Sequence, residues 1–202
     1  YGRILGQQIA DYTIKKVRLA QLKAAVQGLS TISSAEALQQ LKVNAAVKVP
    51  LSQLPPSSTS LTETQLKDNL EQATIIVNMA YKQGEEIKSN PTTAYVIDEG
   101  GVCVTNFHVG KEYSTKPYLS LSVMTKEGKS YPVTKITSCS ESDDLMVFQV
   151  DTKGDKLAAL PLGNTATKGA AIHLMGHPNA NFYRYSSGVI SSFDTSSLAG
   201  QA

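Results

Sequence analysis

Three histidines, two cysteines and the adjacent aspartates Asp143 and Asp144 are the residues of this chain whose chemistry goes beyond packing. His108 closes the run Val104-Thr105-Asn106-Phe107-His108, directly after strand-forming residues and before Val109. With an ordinary pKa of about 6.5, an imidazole takes up and returns a proton near neutral pH. That ability matters where a hydroxyl must become a nucleophile, because a serine attacks poorly until a neighbouring base accepts its proton. His173 and His177 have a His-x-x-x-His spacing, but His173 sits in a strand-like run and His177 in the turn Gly176-His177-Pro178. No helix face joins them and no cysteine or carboxylate cluster lies nearby, so no metal site is expected. Gly163 and Gly169 are too sparse for a phosphate loop, and no cofactor is expected.

Cys103 and Cys139 form an even pair in a chain too large to depend on a disulfide framework. A bridge and two buried thiols are both open readings. The second is favoured, because free cysteine usually behaves as a small buried hydrophobe.

The elements that must position these groups change character along the chain. In residues 4–29 the apolar positions Leu5, Ile9, Tyr12, Leu19, Leu22, Val26 and Leu29 follow spacings of three, four or seven, the stripe of an amphipathic helix. Ser33 followed by Glu36 has the form of a capping box, and Leu38, Leu41 and Ala45 carry a second helix to about residue 47. Residues 50–60 hold three prolines and four serines, a composition that reads as an extended linker. Thr62 with Gln65 predicts another capped helix to about Gln72, and the β-branched run Thr74-Ile75-Ile76-Val77 then predicts a strand. Beyond Gly84 the pattern becomes short apolar runs at 94–97, 102–105, 118–123, 131–137, 145–150, 170–175 and 182–193, separated by Gly, Asp, Asn, Ser and Lys. Such spacing predicts many short antiparallel strands in a barrel or sandwich. The domain reading is a helical segment over 1–49, a Pro/Ser-rich linker over 50–61 and a mainly β domain over 62–202.

Composition narrows the classes of function. With 41% apolar and 18% charged residues and a formal charge of +2, the chain has the balance of an ordinary globular protein. It has no Lys/Arg block or basic-aromatic interleaving, so no nucleic-acid partner is expected. No window approaches the roughly 18 consecutive apolar residues of a spanning helix. Tyr1 in first position suggests a processed or incomplete chain whose targeting segment has been removed.

The stretch Thr93-Ala94-Tyr95-Val96-Ile97-Asp98-Glu99-Gly100-Gly101-Val102-Cys103-Val104-Thr105-Asn106-Phe107-His108-Val109 resembles the first-barrel segment of trypsin-like serine peptidases, and most closely their HtrA/Deg-like branch. In that family a hairpin leads into a Thr-Asn-x-His-Val turn whose histidine is the general base, so the resemblance gives His108 that role. Ser142-Asp143-Asp144-Leu145-Met146-Val147 is similar to the family's Asp-Leu-Ala followed by an apolar strand, which puts Asp144 on the orienting aspartate. Asp143 is one residue out of register, and on a strand it would point to the other face. Leu160-Pro161-Leu162-Gly163-Asn164, with Gly169 to Pro178 and Ser186-Ser187-Gly188-Val189-Ile190-Ser191, resembles the crossing into a second barrel, where these serines are strand residues rather than nucleophiles.

The resemblance implies a mainly β, trypsin-like double β-barrel whose second barrel is incomplete in this chain, preceded by an α-helical N-terminal segment. Two departures stand out. Thr92-Thr93-Ala94 replaces the family's Gly-Ser-Gly, so a close backbone approach is expected to be absent there. The family's Gly-x-Ser-Gly-Gly type of motif is found nowhere in 202 residues, so the expectation is a fragment of a longer polypeptide. The implied function is a serine endopeptidase acting on protein or peptide substrates, with its serine beyond Ala202. The alternative is a non-catalytic scaffold subunit that docks a protein partner through the N-terminal helices. Either would sit in the cell envelope, periplasmic or secreted.

Overall fold

The computed structural model describes residues 2–49, 61–163 and 166–193. The organising element is β1 (Thr74–Gln83), whose first seven residues are all buried. A strand with one wet face would alternate, so a continuous buried run requires cover on both sides. Ile75, Val77 and Met79 enter the barrel core. On the opposite face Ile76 clusters with Leu22 of α1 (Gly2–Ala24), and the Asn78 amide donates to the Leu22 carbonyl at 3.0 Å.

β1 pairs antiparallel with β2 (Glu86–Asp98) and with β4 (Tyr118–Met124). With β3 (Val102–Thr105), β5 (Ser130–Ser140) and β6 (Leu145–Val150) they close a six-stranded barrel in the order β1-β2-β3-β6-β5-β4. The predicted runs 102–105 and 145–150 match their strands residue for residue. β2 begins eight residues before the predicted 94, because its first half is polar and contains Pro91. That half pairs with β1 only, while β3 joins from Tyr95 onward, so Pro91 lies where no second neighbour needs its missing N–H. The second barrel is represented among the described residues by one hairpin, β7 (Ala171–Gly176) with β8 (Arg184–Val189).

Both predicted capping boxes form, Ser33 with Glu36 and Thr62 with Gln65. They start α2 (Ser34–Val43) and α3 (Glu63–Ala73). α1 ends at Ala24 and not near residue 29, and α2 ends at Val43 and not near 47. The second stop has a clear cause: Asn44 leaves the helix to give its amide to the Ile136 carbonyl at 2.6 Å, and Ala45 forms a parallel bridge with Cys139. α2 is also part of the barrel's own packing, since Ala37 and Leu41 share one core with Tyr113 and Met146. The linker expected at 50–61 lies outside the described residues except for Leu61.

The stretch expected as a turn is the start of a helix, α4 (Phe107–Thr115). Nine residues with Gly110 among them give too short an apolar stripe to detect, although Val109 and Tyr113 at i and i+4 do face inward. The two cysteines are free buried thiols, with Cys103 opposite Phe148 on β6 and Cys139 donating to the Leu41 carbonyl.

Candidate active site

His108 is the second residue of α4, which starts immediately after β3. The first backbone N–H groups of a helix lack intrahelical partners and carry the positive end of its dipole. Asn106 occupies the N-cap, yet its side chain makes no capping bond. The Asp144 carboxylate reaches across from the turn before β6 instead, and its Oδ1 accepts the His108 backbone N–H at 2.9 Å. The same carboxylate meets the imidazole, with His108 Nδ1 2.9 Å from Asp144 Oδ2 and 3.1 Å from Oδ1. One aspartate thus caps the helix and holds the ring that the helix carries.

Asp144 sits in a 141–144 turn with a φ of 50°, a left-handed conformation that aspartate tolerates better than most residues. Thr105 pairs with Met146, which sets the turn beside the start of α4. The Asn106 amide donates to Asp144 Oδ2 at 3.1 Å and to the Asp144 carbonyl at 3.2 Å. Burial pushes the Asp144 carboxyl up, but the His108 N–H, the His108 ring and the Asn106 amide together hold it below the usual aspartate range. The His108 side chain is 65% exposed and that of Asp144 only 20%, so the ring presents its far side to solvent while its Nδ1 side faces protein.

Asp143, one residue out of register with the family's aspartate, lies in the 141–144 turn ahead of β6, which begins at Leu145. Its carboxylate accepts from the Ser140 hydroxyl and serves the turn locally. On the next turn of α4, Glu112 accepts from Lys116 Nζ at 2.9 Å and from the Tyr118 hydroxyl at 2.7 Å, and these bonds hold its carboxyl low.

The other histidines have separate surroundings. The His173 ring stacks on Tyr185 and hydrogen-bonds its hydroxyl at 2.6 Å. His177 is buried, and its Nδ1 accepts the Tyr183 backbone N–H at 3.0 Å, which leaves the ring proton on Nε2. Burial lowers its pKa to about 4. Its own backbone N–H donates to Thr93 Oγ1 at 2.9 Å, tying the second hairpin to β2. Asn106 stands in the sequence motif with no role implied by the resemblance, and the signal for its place is a capping residue type just before a helix start.

A neutral imidazole that donates Nδ1–H to a carboxylate has Nε2 as a proton acceptor, and a carboxylate at Nδ1 stabilises the imidazolium once a proton is taken. Residues 92–201 match the family model described as a trypsin-like peptidase domain. The chain is similar to the mitochondrial serine protease HTRA2 of Drosophila pseudoobscura pseudoobscura, with 27% identity over 111 residues, 55% of this chain and 25% of the relative. It is similar also to the HTRA2 of Drosophila erecta, with 26% identity over 112 residues, 55% of this chain and 26% of the relative. The chain thus spans about a quarter of the length of the curated relatives it matches. On the closed barrel, the single hairpin of the second sheet and these matches, the chain belongs to the trypsin-like peptidases and resembles their HtrA serine proteases.

Proposed function

We propose that this chain supplies the base and its orienting carboxylate to a serine endopeptidase, with the nucleophilic serine carried outside residues 1–202. The supporting observation is the His108 Nδ1–Asp144 contact at 2.9 Å, made from a helix start that the same carboxylate caps. In the proposed reaction His108 Nε2 takes the hydroxyl proton as the serine oxygen attacks the scissile carbonyl. Asp144 stays ionised and stabilises the imidazolium, which then gives its proton to the departing amine. Protein or peptide chains are the substrates, and an envelope or extracellular location goes with the reading, to be checked by fractionation of cells making the full-length protein. A fluorophosphonate probe tests the activity: the full-length polypeptide is labelled in a His108-dependent manner, and failure to label where a control peptidase labels removes the enzyme reading.

A scaffold role through the N-terminal helices keeps one supporting observation, the exposed Tyr12, Ile14 and Val17 on α1. Loss of a co-purifying partner from the full-length protein lacking residues 1–50 supports it, and unchanged assembly removes it.

A further inference from the structure

We propose that Asn106 is a positioning residue, whose amide fixes the rotamer of Asp144 and thereby the orientation of His108. The inference rests on the reading of His108 and Asp144 as base and orienter, but its physical content is a statement about Asp144 alone.

Asn is among the best N-cap residues because its side-chain oxygen accepts an N–H of the first helical turn. At α4 this does not happen. Asn106 has the extended backbone of an N-cap, with φ −75° and ψ 147°, and no side-chain capping bond. Its amide nitrogen is turned to Asp144 instead, where it donates to Oδ2 at 3.1 Å and to the main-chain carbonyl at 3.2 Å. The role of cap has passed to Asp144 Oδ1, which accepts the His108 backbone N–H at 2.9 Å. The two carboxylate oxygens are thus held by different donors, Oδ1 by the helix start and Oδ2 by the asparagine, and the imidazole Nδ1 approaches both.

Two donors on two oxygens leave the carboxylate no free rotation about its Cβ–Cγ bond. The bond to the Asp144 carbonyl also anchors a residue whose φ of 50° is outside the broad minima for non-glycine residues. Without the amide, Oδ2 has only the ring, and Asp144 loses one of the donors that keep its carboxyl low.

The variants Asn106→Asp and Asn106→Ala separate positioning from capping, because aspartate caps as well as asparagine while alanine caps poorly. Both are made in the full-length protein. If Asn106 merely served the helix, N106D would match the parent and N106A would be the weaker protein. If it positions Asp144, N106D is the worse variant, since it replaces a donor with a second negative charge. Two readouts are taken. The 13C carboxyl resonance of Asp144 is followed against pH, and its midpoint moves up in both variants, further in N106D. Peptide hydrolysis falls about tenfold in kcat for N106A and about a hundredfold for N106D, with KM unchanged. An Asp144 midpoint that stays where it was in folded N106A overturns the proposal, as does N106D activity within twofold of the parent. Should N106D fail to fold, the N106A titration decides. If the parent shows no peptidase activity, the enzyme reading fails, while the carboxyl titration still decides the role of Asn106.

Discussion

Gly110, two residues after His108 on α4, lies against Met146, two residues after Asp144 on β6, with no room for a methyl group between them. A Cβ on Gly110 would collide with the Met146 sulfur and would stand 3.4 Å from Leu41 Cδ2, and Met146 is only 1% exposed and has little space to withdraw. The helix bearing His108 and the strand behind Asp144 are therefore in direct contact one step beyond the pair itself.

Gly110→Ala tests that contact. In an open helix the substitution gains up to about 1 kcal/mol of helix propensity. Here overpacking outweighs the gain, and the barrel loses about 1–2 kcal/mol in urea unfolding. In a Met146→Ala background the same change becomes neutral or stabilising, a coupling that a double-mutant cycle reads directly.

His108→Ala and Asp144→Asn in the full-length protein each lower kcat/KM by roughly 10³-fold or more, with little change in unfolding midpoint for the exposed His108. Asp144→Asn also removes a negative charge from the positive end of α4, so its urea midpoint falls by the equivalent of about 0.5–1 kcal/mol. Hydrolysis that survives both changes places the chemistry elsewhere.

His177 gives the fold a pH dependence of known sign. Its pKa is lowered to about 4 in the folded protein from an ordinary 6.5, so between these values the unfolded chain binds the extra proton. Stability is complete above about pH 6.5 and falls as pH drops, by roughly 1 kcal/mol per pH unit down to about 4. Carboxylates held low, Asp144 among them, lose their contribution only near and below their ordinary range of about 4. Urea midpoints between pH 7 and pH 5 show the slope, and His177→Asn, whose Oδ1 replaces Nδ1 as acceptor for Tyr183, flattens it.

Cys103 and Cys139 remain unmodified by a thiol reagent at pH 8 in the native protein and react together after denaturation. Burial raises both thiols above their ordinary pKa, and Cys103 is fully enclosed. Rapid native labelling of Cys103 would contradict the closed β3–β6 pairing.

Leu41→Ala measures how far α2 belongs to the barrel. Its side chain shares the core with Tyr113 and Met146, so truncation costs about 2–4 kcal/mol of barrel stability. A helix held only for a partner would show no such change in the isolated protein.

What the sequence made legible follows the strength of each local signal. The capping boxes at Ser33 and Thr62 were readable because each satisfies its orphan donors within four residues. Strands β3 and β6 were readable because their apolar runs are bounded sharply by Gly101 and Asp144. α4 was hidden because its first turn is capped from the turn before β6, by a carboxylate 36 residues away in sequence. The polar half of β2 was hidden because pairing with β1 holds it extended, against the turn tendency of Asn90-Pro91. The contact between His108 and Asp144 is foreshadowed by a family pattern, whereas the bond between Asn106 and Asp144 depends on a rotamer that no spacing specifies.

The barrel order carries a consequence for synthesis of the protein. β3 and β6 are neighbours in the ring, but 39 residues of chain separate them, and the rung between Thr105 and Met146 spans a 41-residue step in sequence. Hairpins such as β1–β2 close locally, whereas this rung must wait for β4 and β5 to be made and folded back. A growing chain therefore holds its imidazole and its carboxylate on separate pieces until the ring shuts. A slip of one residue in that closure would turn Met146 and its neighbours to the wrong face. Barrel closure is in this sense the step that first brings His108 within reach of the Asp144 carboxylate.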